Sequence, residues 1–280
     1  HPAGSRLSLK AAKITARTPT HGTHLDPIRL AGATNFRSLG GLPAAGGRRI
    51  RPHALMRADR LSGLSEDDWG ALGRAGLTTI CDLRSEEERG EHPNNPPPHL
   101  GVRELRFGIR NDLRADPALA RLIASDPTAR GSERVMIEIY RRLPGYMGPT
   151  LSAIVDRLLD GGAPLLVHCS AGKDRTGFVI AMLLRALDVP EPLIRADYLA
   201  SRHWPGAESH RASLEERLRP VVAPEELRAA VDAVLDVRDV YLDAALQALE
   251  DEFGTTLNYF ETAAGVDERR IDLLRGRLLA

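Results

Sequence analysis

A cysteine and an arginine separated by five residues are the part of this sequence whose chemistry is most readily inferred. Cys169 is the candidate nucleophile and Arg175 the candidate anion-binding side chain. A loop of this length is able to wrap a tetrahedral anion and turn its backbone N–H groups inward, and the arginine fork matches two phosphate oxygens. The spacing therefore predicts a thiolate at the floor of a phosphate-binding loop. The predicted phosphate-binding residues are Ser170, Ala171, Gly172, Lys173, Asp174, Arg175 and Thr176.

Two apolar elements flank this loop and must position it. Residues 163–167 read as a buried strand and residues 176–187 as a helix. A helix N-terminus favours a bound anion because its unpaired N–H groups and its dipole point towards it, and the same field favours a thiolate. Gly172 permits the left-handed or close backbone geometry of such a loop. We expect Thr176 to hydrogen-bond the thiolate, and His168 to fix the loop through a backbone contact.

The loop also carries a resemblance to a known family. Residues 168–177 read His-Cys-Ser-Ala-Gly-Lys-Asp-Arg-Thr-Gly, which resembles the signature of the cysteine-dependent protein tyrosine phosphatases, and among them the atypical bacterial enzymes related to a secreted mycobacterial phosphatase. The resemblance covers about residues 28 to 280 and includes segments 33–41, 55–62, 82–85 and 237–279. It implies hydrolysis of phosphotyrosine, and also of phosphoserine or phosphothreonine, through a phosphocysteine intermediate, without a cofactor or metal.

A phosphatase of this kind needs an acid that protonates the leaving oxygen, and three aspartates are candidates. By position after the preceding strand, the resemblance points to Asp112, with Asp116 behind it, although no Trp-Pro-Asp is present. Asp174 lies inside the loop, where a bound phosphate favours the protonated carboxyl group; the alternative is that it only caps the following helix. Asp82, at a strand end, is the third candidate, and a salt bridge or turn contact is its alternative role.

Two further loop or strand residues leave alternatives open. Lys173 is placed either to meet a second phosphate of a substrate or simply to face solvent and raise the local potential. Cys81 is either a second thiol that traps oxidised Cys169 as a disulfide or a small buried hydrophobic residue.

Composition and charge limit the partners. The formal net charge is zero and the sequence pI is about 7.3, which gives no indication of nucleic-acid binding. No apolar run is long enough for stable membrane insertion. The expected partner is a phosphorylated protein; the alternative is a phosphoinositide or inositol phosphate bound by the same loop. A phosphate-recognising module without turnover is disfavoured by the intact Cys169 and Arg175.

Cysteine content bears on the compartment. The chain has two cysteines, which is no disulfide framework, and a reactive free thiol needs a reducing environment. Cytoplasmic folding is therefore the default expectation, with secretion as an effector as the alternative.

The order of elements predicts the fold class. Residues 77–82 and 102–107 read as strands, residues 149–160 as an amphipathic helix, and everything from residue 190 as helical. We expect an α/β fold: a mainly parallel central sheet flanked by helices, resembling the protein tyrosine phosphatases, with a helical C-terminal part.

The domain organisation is expected to be simple. Residues 1–27 are a predicted flexible tail and residues 28–280 a single phosphatase domain. Residues 109–148 interrupt the α/β pattern with helical, polar stretches. The family resemblance favours a helical lid over the site, formed by these residues and also by residues 203–222; the alternative is that both segments are passive packing.

Overall fold

The central sheet carries the predicted loop on its middle strand. The structure is a computed structural model that describes residues 28–109, 117–202 and 204–280. Its strands are β1 (Arg37–Ser38), β2 (Leu55–Ala58), β3 (Thr79–Asp82), β4 (Arg103–Arg106) and β5 (Leu165–His168). Their order is β1-β2-β5-β3-β4, with only β1 antiparallel to its neighbour. The predicted mainly parallel sheet is confirmed, and the loop after β5 leaves its carboxyl edge, where α/β proteins bind ligands.

Helices make up most of the remaining chain, including the whole C-terminal part as predicted. They are α1 (Glu66–Arg74), α2 (Glu86–Glu91), α3 (Pro117–Ser125), α4 (Ala129–Leu159), α5 (Asp174–Ala186), α6 (Glu191–Leu199), α7 (Ala207–Leu218), α8 (Leu227–Leu235), α9 (Asp239–Phe253), α10 (Thr256–Ala264) and α11 (Glu268–Leu278). Short 3₁₀ turns occupy Ala45–Gly47 and Pro98–Leu100.

The middle strand β5 is buried on both faces. Leu165 and Val167 face the larger apolar cluster together with helix α5, whereas Leu166 faces the smaller cluster on the other side of the sheet. Burial on both faces explains the continuous apolar run that parallel strands show in sequence. The loop that follows is therefore anchored to a strand that is buried in the core.

Helix α4 corrects one boundary of the sequence prediction. The predicted helix over residues 149–160 covers only the last third of α4, which continues through Pro144 and Pro149. Each proline removes one intrahelical hydrogen bond, which locally favours a break. Packing outweighs that local preference, because α8, α9 and α10 enclose α4 and bury Tyr140, Leu143 and Met147. Residues 129–148 therefore place many of their side chains in the core.

Several predictions fall on residues that the structure does not describe. These are the N-terminal tail (1–27), Asp112 and Asp116, together with the rest of 110–116. The lid over residues 109–148 and 203–222 stays a prediction.

Candidate active site

The cysteine lies at the floor of the loop between β5 and α5. The Cys169 side chain is buried, and its Sγ accepts a hydrogen bond of 3.2 Å from the Gly172 N–H. Helix α5 begins at Asp174, so its first turn, with its unpaired N–H groups, borders the loop. Both features favour a negative charge on the sulfur.

The loop keeps its carbonyl oxygens turned outward. Four consecutive carbonyls each accept a hydrogen bond from a group outside the Ser170–Gly172 turn. His168 Nδ1 donates to the Cys169 carbonyl (3.2 Å), and the Arg60 N–H donates to the Ser170 carbonyl (3.1 Å). Asn35 Nδ2 donates to the Ala171 carbonyl (2.9 Å), and Arg57 Nη2 donates to the Gly172 carbonyl (2.6 Å). Because each peptide carries its N–H opposite its carbonyl, this arrangement turns the loop amides inward, where the Gly172 N–H meets the thiol and the neighbouring N–H groups face the space for an anion.

Gly172 is required by backbone geometry and by space. Its φ is +68°, and a Cβ built there would lie 2.3 Å from the carbonyl oxygen of Ala58. The clash is with backbone of strand β2, which has no room to move. The loop is therefore pressed against the neighbouring strand at the residue that donates to the thiol.

Substituting Gly172→Ala is expected to lower both the melting temperature and kcat/KM, the latter by about tenfold or more, because the loop must leave β2 and misplace its amides. Gly90→Ala is the matched control, since a Cβ at Gly90 in α2 would contact nothing within 4 Å. Thermal denaturation and steady-state kinetics of the two variants check this. A Gly172→Ala enzyme as stable and active as Gly90→Ala would contradict it.

Arg175 is held by a carboxylate that the sequence analysis did not single out. Its Nη1 and Nη2 each donate to one oxygen of Glu88, at 2.8 Å in both cases. Nη1 also donates to the Ile109 carbonyl at 3.0 Å and to the Leu83 carbonyl at 3.4 Å. The Nε–H makes no hydrogen bond to any part of the chain that the structure describes. One edge of the guanidinium group, formed by Nε and Nη2, is thus left for a ligand.

His168 fixes the start of the loop, as expected, and does not serve as a base. Its ring is fully buried, and burial lowers the pKa of His168 to about 4, so the ring is neutral at physiological pH. The Asn94 amide nitrogen lies 3.1 Å from Nε2, and the Asn94 oxygen accepts from Arg84. Nε2 is therefore an acceptor, and Nδ1–H donates to the Cys169 carbonyl.

Asp82 lies in a closed network behind the loop. It is fully buried and accepts from the backbone N–H, Nε and Nη2 of Arg84 at 3.0, 3.0 and 2.8 Å. Burial opposes ionisation, but the bonds to Arg84 and the nearby His168 outweigh it and lower the pKa of Asp82. A buried, ionised carboxylate favours the alternative that the sequence left open, a salt bridge.

Asp174 is positioned by a chain of buried tyrosines. Tyr198 donates to the Tyr140 hydroxyl at 2.9 Å, and Tyr140 donates to Asp174 Oδ1 at 2.6 Å. The helix N-cap is Lys173, and Asp174 is the first helical residue, so the expected alternative role of Asp174 as a cap is not what the structure contains. Asp174 Oδ2 has no hydrogen-bond partner among the described residues.

Lys173 does not match either of its two expected roles. Its side chain is buried rather than facing solvent, and Nζ donates to Asp174 Oδ1 (3.2 Å) and to the carbonyls of Val234 (2.7 Å) and Asp236 (3.2 Å). These carbonyls end helix α8, where a cation is favoured by unpaired oxygens and by the dipole. Lys173 therefore ties the loop to α8 and is not free to meet a second phosphate.

Thr176, unlike Lys173, has a polar side-chain group without a hydrogen-bond partner in the described part of the chain. Its hydroxyl oxygen is buried and has no hydrogen-bond partner among the described residues. A buried hydroxyl without a partner is uncommon, which supports the expected role of Thr176 as a donor to the thiolate.

The geometry of Cys81 favours a role as a small buried hydrophobic residue over a role as a second thiol that traps oxidised Cys169. Cys81 pairs with Val167 across β3 and β5, and Cys169 follows Val167 by two residues. Strand spacings then put the two cysteine Cα atoms roughly 8 Å apart, beyond the reach of a disulfide without backbone movement. Burial raises the pKa of the Cys81 thiol well above its usual range. Cys81 is a small apolar core residue.

A cavity of about 280 Å³ lies beside the loop. Arg60, whose N–H donates to the Ser170 carbonyl, lines it together with Asp59, His92, Trp204 and His210. The buried Asp59 carboxylate accepts from Trp204 Nε1 at 3.0 Å. Burial and the positive charge of Arg60 lower the pKa of His210 to about 4. The walls thus combine a fixed cation, neutral imidazole and an indole, next to the phosphate loop.

Known proteins are similar in sequence to this chain over most of its length. A model of the tyrosine phosphatase family matches residues 28–280. A protein of Cupriavidus necator named as a tyrosine-protein phosphatase is 35% identical over 255 residues, covering 88% of this chain and 86% of that one. The triple specificity protein phosphatase PtpB of Mycobacterium tuberculosis is 34% identical over 276 residues, covering 89% and 98%. The chain belongs to the tyrosine phosphatase family. A tyrosine-protein phosphatase of Nostoc commune is 28% identical over 246 residues, covering 84% of this chain and 78% of its own length.

Family membership confirms the resemblance and the predicted enzyme class: this is a cysteine-dependent protein tyrosine phosphatase. Within the described ranges, no group of three or more His, Cys, Asp or Glu side chains is arranged to hold a metal ion. In the same ranges, no helix has both the length and the apolar character to cross a membrane.

The residues that support the phosphatase loop from outside were missed by the sequence analysis. They are Asn35, Arg57, Arg60 and Glu88. A signal existed for three of them, because segments 33–41 and 55–62 carried the family resemblance without an assigned role. Arg57 gave a second signal, as an arginine within the apolar strand β2 whose buried charge needs a partner. That partner is Asp197, 2.5 Å away.

Proposed function

We propose that this phosphatase hydrolyses phosphotyrosine in proteins through a phosphocysteine intermediate. Cys169 attacks phosphorus, the Cys–S–P bond forms as the tyrosyl oxygen leaves, and water then releases phosphate and restores the thiolate. Arg175 and the loop amides bind the equatorial oxygens in both steps. The observation that carries the proposal is the outward orientation of four carbonyls around a buried thiol, which leaves an anion site directly above the sulfur.

We assign the leaving-group proton to Asp174. Its Oδ1 is held by Tyr140 and by Lys173, which leaves Oδ2 to carry and donate the proton. Asp82 is enclosed by Arg84 and is less suited to this role. Asp112 remains the candidate for an acid on a separate loop.

Replacing Asp174→Asn is expected to lower kcat for a phosphotyrosine peptide by about 10²-fold, because the tyrosyl oxygen is a poor leaving group without a proton. Dinitrophenyl phosphate needs little protonation, so its hydrolysis should change much less. Asp82→Asn and Asp112→Asn are measured beside it. A loss that depends on the leaving group in Asp112→Asn alone would move the acid to that residue.

Vanadate is expected to inhibit the enzyme competitively, because a five-coordinate oxyanion fits the loop amides and Arg175. EDTA is expected to leave the rate unchanged, since the proposed steps use only protein groups and water. Steady-state assays with each reagent check both results. Activity that disappears on chelation and returns with a divalent metal would refute the metal-free mechanism.

A second candidate substrate is a phosphoinositide or inositol phosphate, and phosphoserine or phosphothreonine in proteins is a third. The cavity beside the loop favours a substrate that carries further polar groups, since Arg60 and two histidines line it. PtpB is named as having triple specificity. Comparing kcat/KM for phosphotyrosine, phosphoserine and phosphoinositide substrates decides among them.

The compartment is proposed on chemical grounds. A nucleophilic thiol at Cys169 is maintained in a reducing environment. We therefore propose that the protein folds in the cytoplasm. Secretion as an effector is the alternative.

A further inference from the structure

Glu88 lies where helix α2, the phosphate loop and Arg175 meet. Its Oε1 accepts from Ser170 Oγ at 2.5 Å and from Arg175 Nη2 at 2.8 Å. Its Oε2 accepts from Arg175 Nη1 and from the Ser85 N–H, each at 2.8 Å. One carboxylate thus receives four donors from three residues, which lie in the phosphate loop and at the start of α2.

The charge on Glu88 is permanent under working conditions. Partial burial opposes ionisation, but the hydrogen bonds and charge of Arg175, together with Ser170 and the Ser85 N–H, outweigh it and lower the pKa of Glu88 to about 2. The same contact raises the pKa of Arg175 against the effect of its burial. The two groups therefore stay paired as carboxylate and guanidinium.

This pairing fixes which edge of Arg175 is available. The guanidinium group has five N–H donors in one plane. Glu88 takes one from each terminal nitrogen, and the Ile109 carbonyl takes the other from Nη1. The donors that remain are on Nε and Nη2, and they form a second fork that matches two oxygens of a phosphate.

We propose that Glu88 is the positioning residue of the phosphoryl transfer, which holds Arg175 with its Nε–Nη2 fork turned towards the phosphate and fixes Ser170 in the loop. The inference rests on the proposed function. Glu88 acts through Arg175 and does not touch the reacting atoms.

Glu88 also has a local role that the test must separate. Ser85 and Glu88 form a capping box at the start of α2, in which the Ser85 hydroxyl accepts from the Glu88 N–H and the Glu88 carboxylate accepts from the Ser85 N–H. The chain contains the same motif with a shorter acid: Ser65 and Asp68 form the capping box of α1. Glu88→Asp should therefore keep the cap and the charge, while withdrawing the carboxylate from Arg175 by one methylene group.

The experiment compares Glu88→Asp and Glu88→Gln with two controls. Ser85→Ala weakens the capping box without removing the Arg175 contact, and Glu87→Gln removes a charge at an exposed neighbour. For a phosphotyrosine peptide, kcat/KM should fall by about 10²-fold in both Glu88 variants, the order expected when a catalytic group is misplaced by about 1 Å. Inhibition by vanadate should weaken in parallel, and dinitrophenyl phosphate should show the same loss, unlike in Asp174→Asn. Both controls should stay within about threefold of the parent.

A double-mutant cycle distinguishes positioning from a purely structural role. In an Arg175→Lys background, Glu88→Asp should change kcat/KM by less than about threefold, because the group that it positions is already gone. An undiminished loss in that background, or a Glu88→Asp enzyme within about threefold of the parent, would overturn the inference. A parent enzyme without phosphatase turnover would instead refute the proposed function.

Discussion

Replacing Cys169→Ser is expected to abolish turnover while leaving phosphate binding intact. A serine hydroxyl in the same place is not ionised by the loop field, so the attack on phosphorus is lost; removal of a catalytic nucleophile typically costs about 10³-fold or more in kcat. The amides, Arg175 and the outward carbonyls do not depend on the sulfur for their positions, apart from the bond from the Gly172 N–H. Calorimetric titration of the variant with inorganic phosphate or a phosphotyrosine peptide, beside its steady-state rate, measures both properties.

Cys81→Ser is the matched control, because it alters the other thiol of the chain. Cys81 is buried in strand β3, so this variant is expected to lose stability and to keep its catalytic rate once folded. Activity of Cys169→Ser within tenfold of the parent would contradict covalent catalysis by Cys169.

Arg175→Lys is expected to be nearly as severe, with kcat/KM lowered by about 10²-fold or more. Lysine keeps the positive charge but replaces a planar fork by a point charge, so it cannot bind two phosphate oxygens and Glu88 together. Arg195→Lys changes the same residue type in a partly exposed surface ion pair with Asp243 and should have little effect. A loss of less than tenfold in Arg175→Lys, measured by steady-state kinetics, would contradict the bidentate role.

The nucleophile, the arginine and the central strand were predictable from sequence because they are local. Cys169 and Arg175 lie in one short loop, and the apolar run before them has the length of a buried strand. The left-handed Gly172 follows from the same local geometry, and its φ of +68° agrees with that expectation. The order of strands and helices along the chain added the parallel sheet.

The partners of these residues were not predictable in the same way. Glu88, Tyr140 and the carbonyls of α8 reach the loop from distant parts of the chain, and no local pattern records the contacts. Lys173 illustrates the consequence: a lysine in an anion-binding loop suggests a second phosphate, yet its ammonium group is satisfied by the end of α8. The predicted helix over residues 149–160 began too late, since α4 starts at Ala129. A proline favours a break locally, but tertiary packing continues the helix through Pro144 and Pro149.

The central claim is that phosphate is carried covalently by Cys169. Rapid quenching of the enzyme with dinitrophenyl phosphate, followed at once by peptide mass spectrometry, tests it most directly because the quench stops turnover before water releases the phosphoryl group. The account predicts one added phosphoryl group on the peptide that contains Cys169, absent from the Cys169→Ser enzyme and retained in Cys81→Ser. Turnover of the substrate with no phosphoryl group on that peptide, or with the group on another residue, would contradict it.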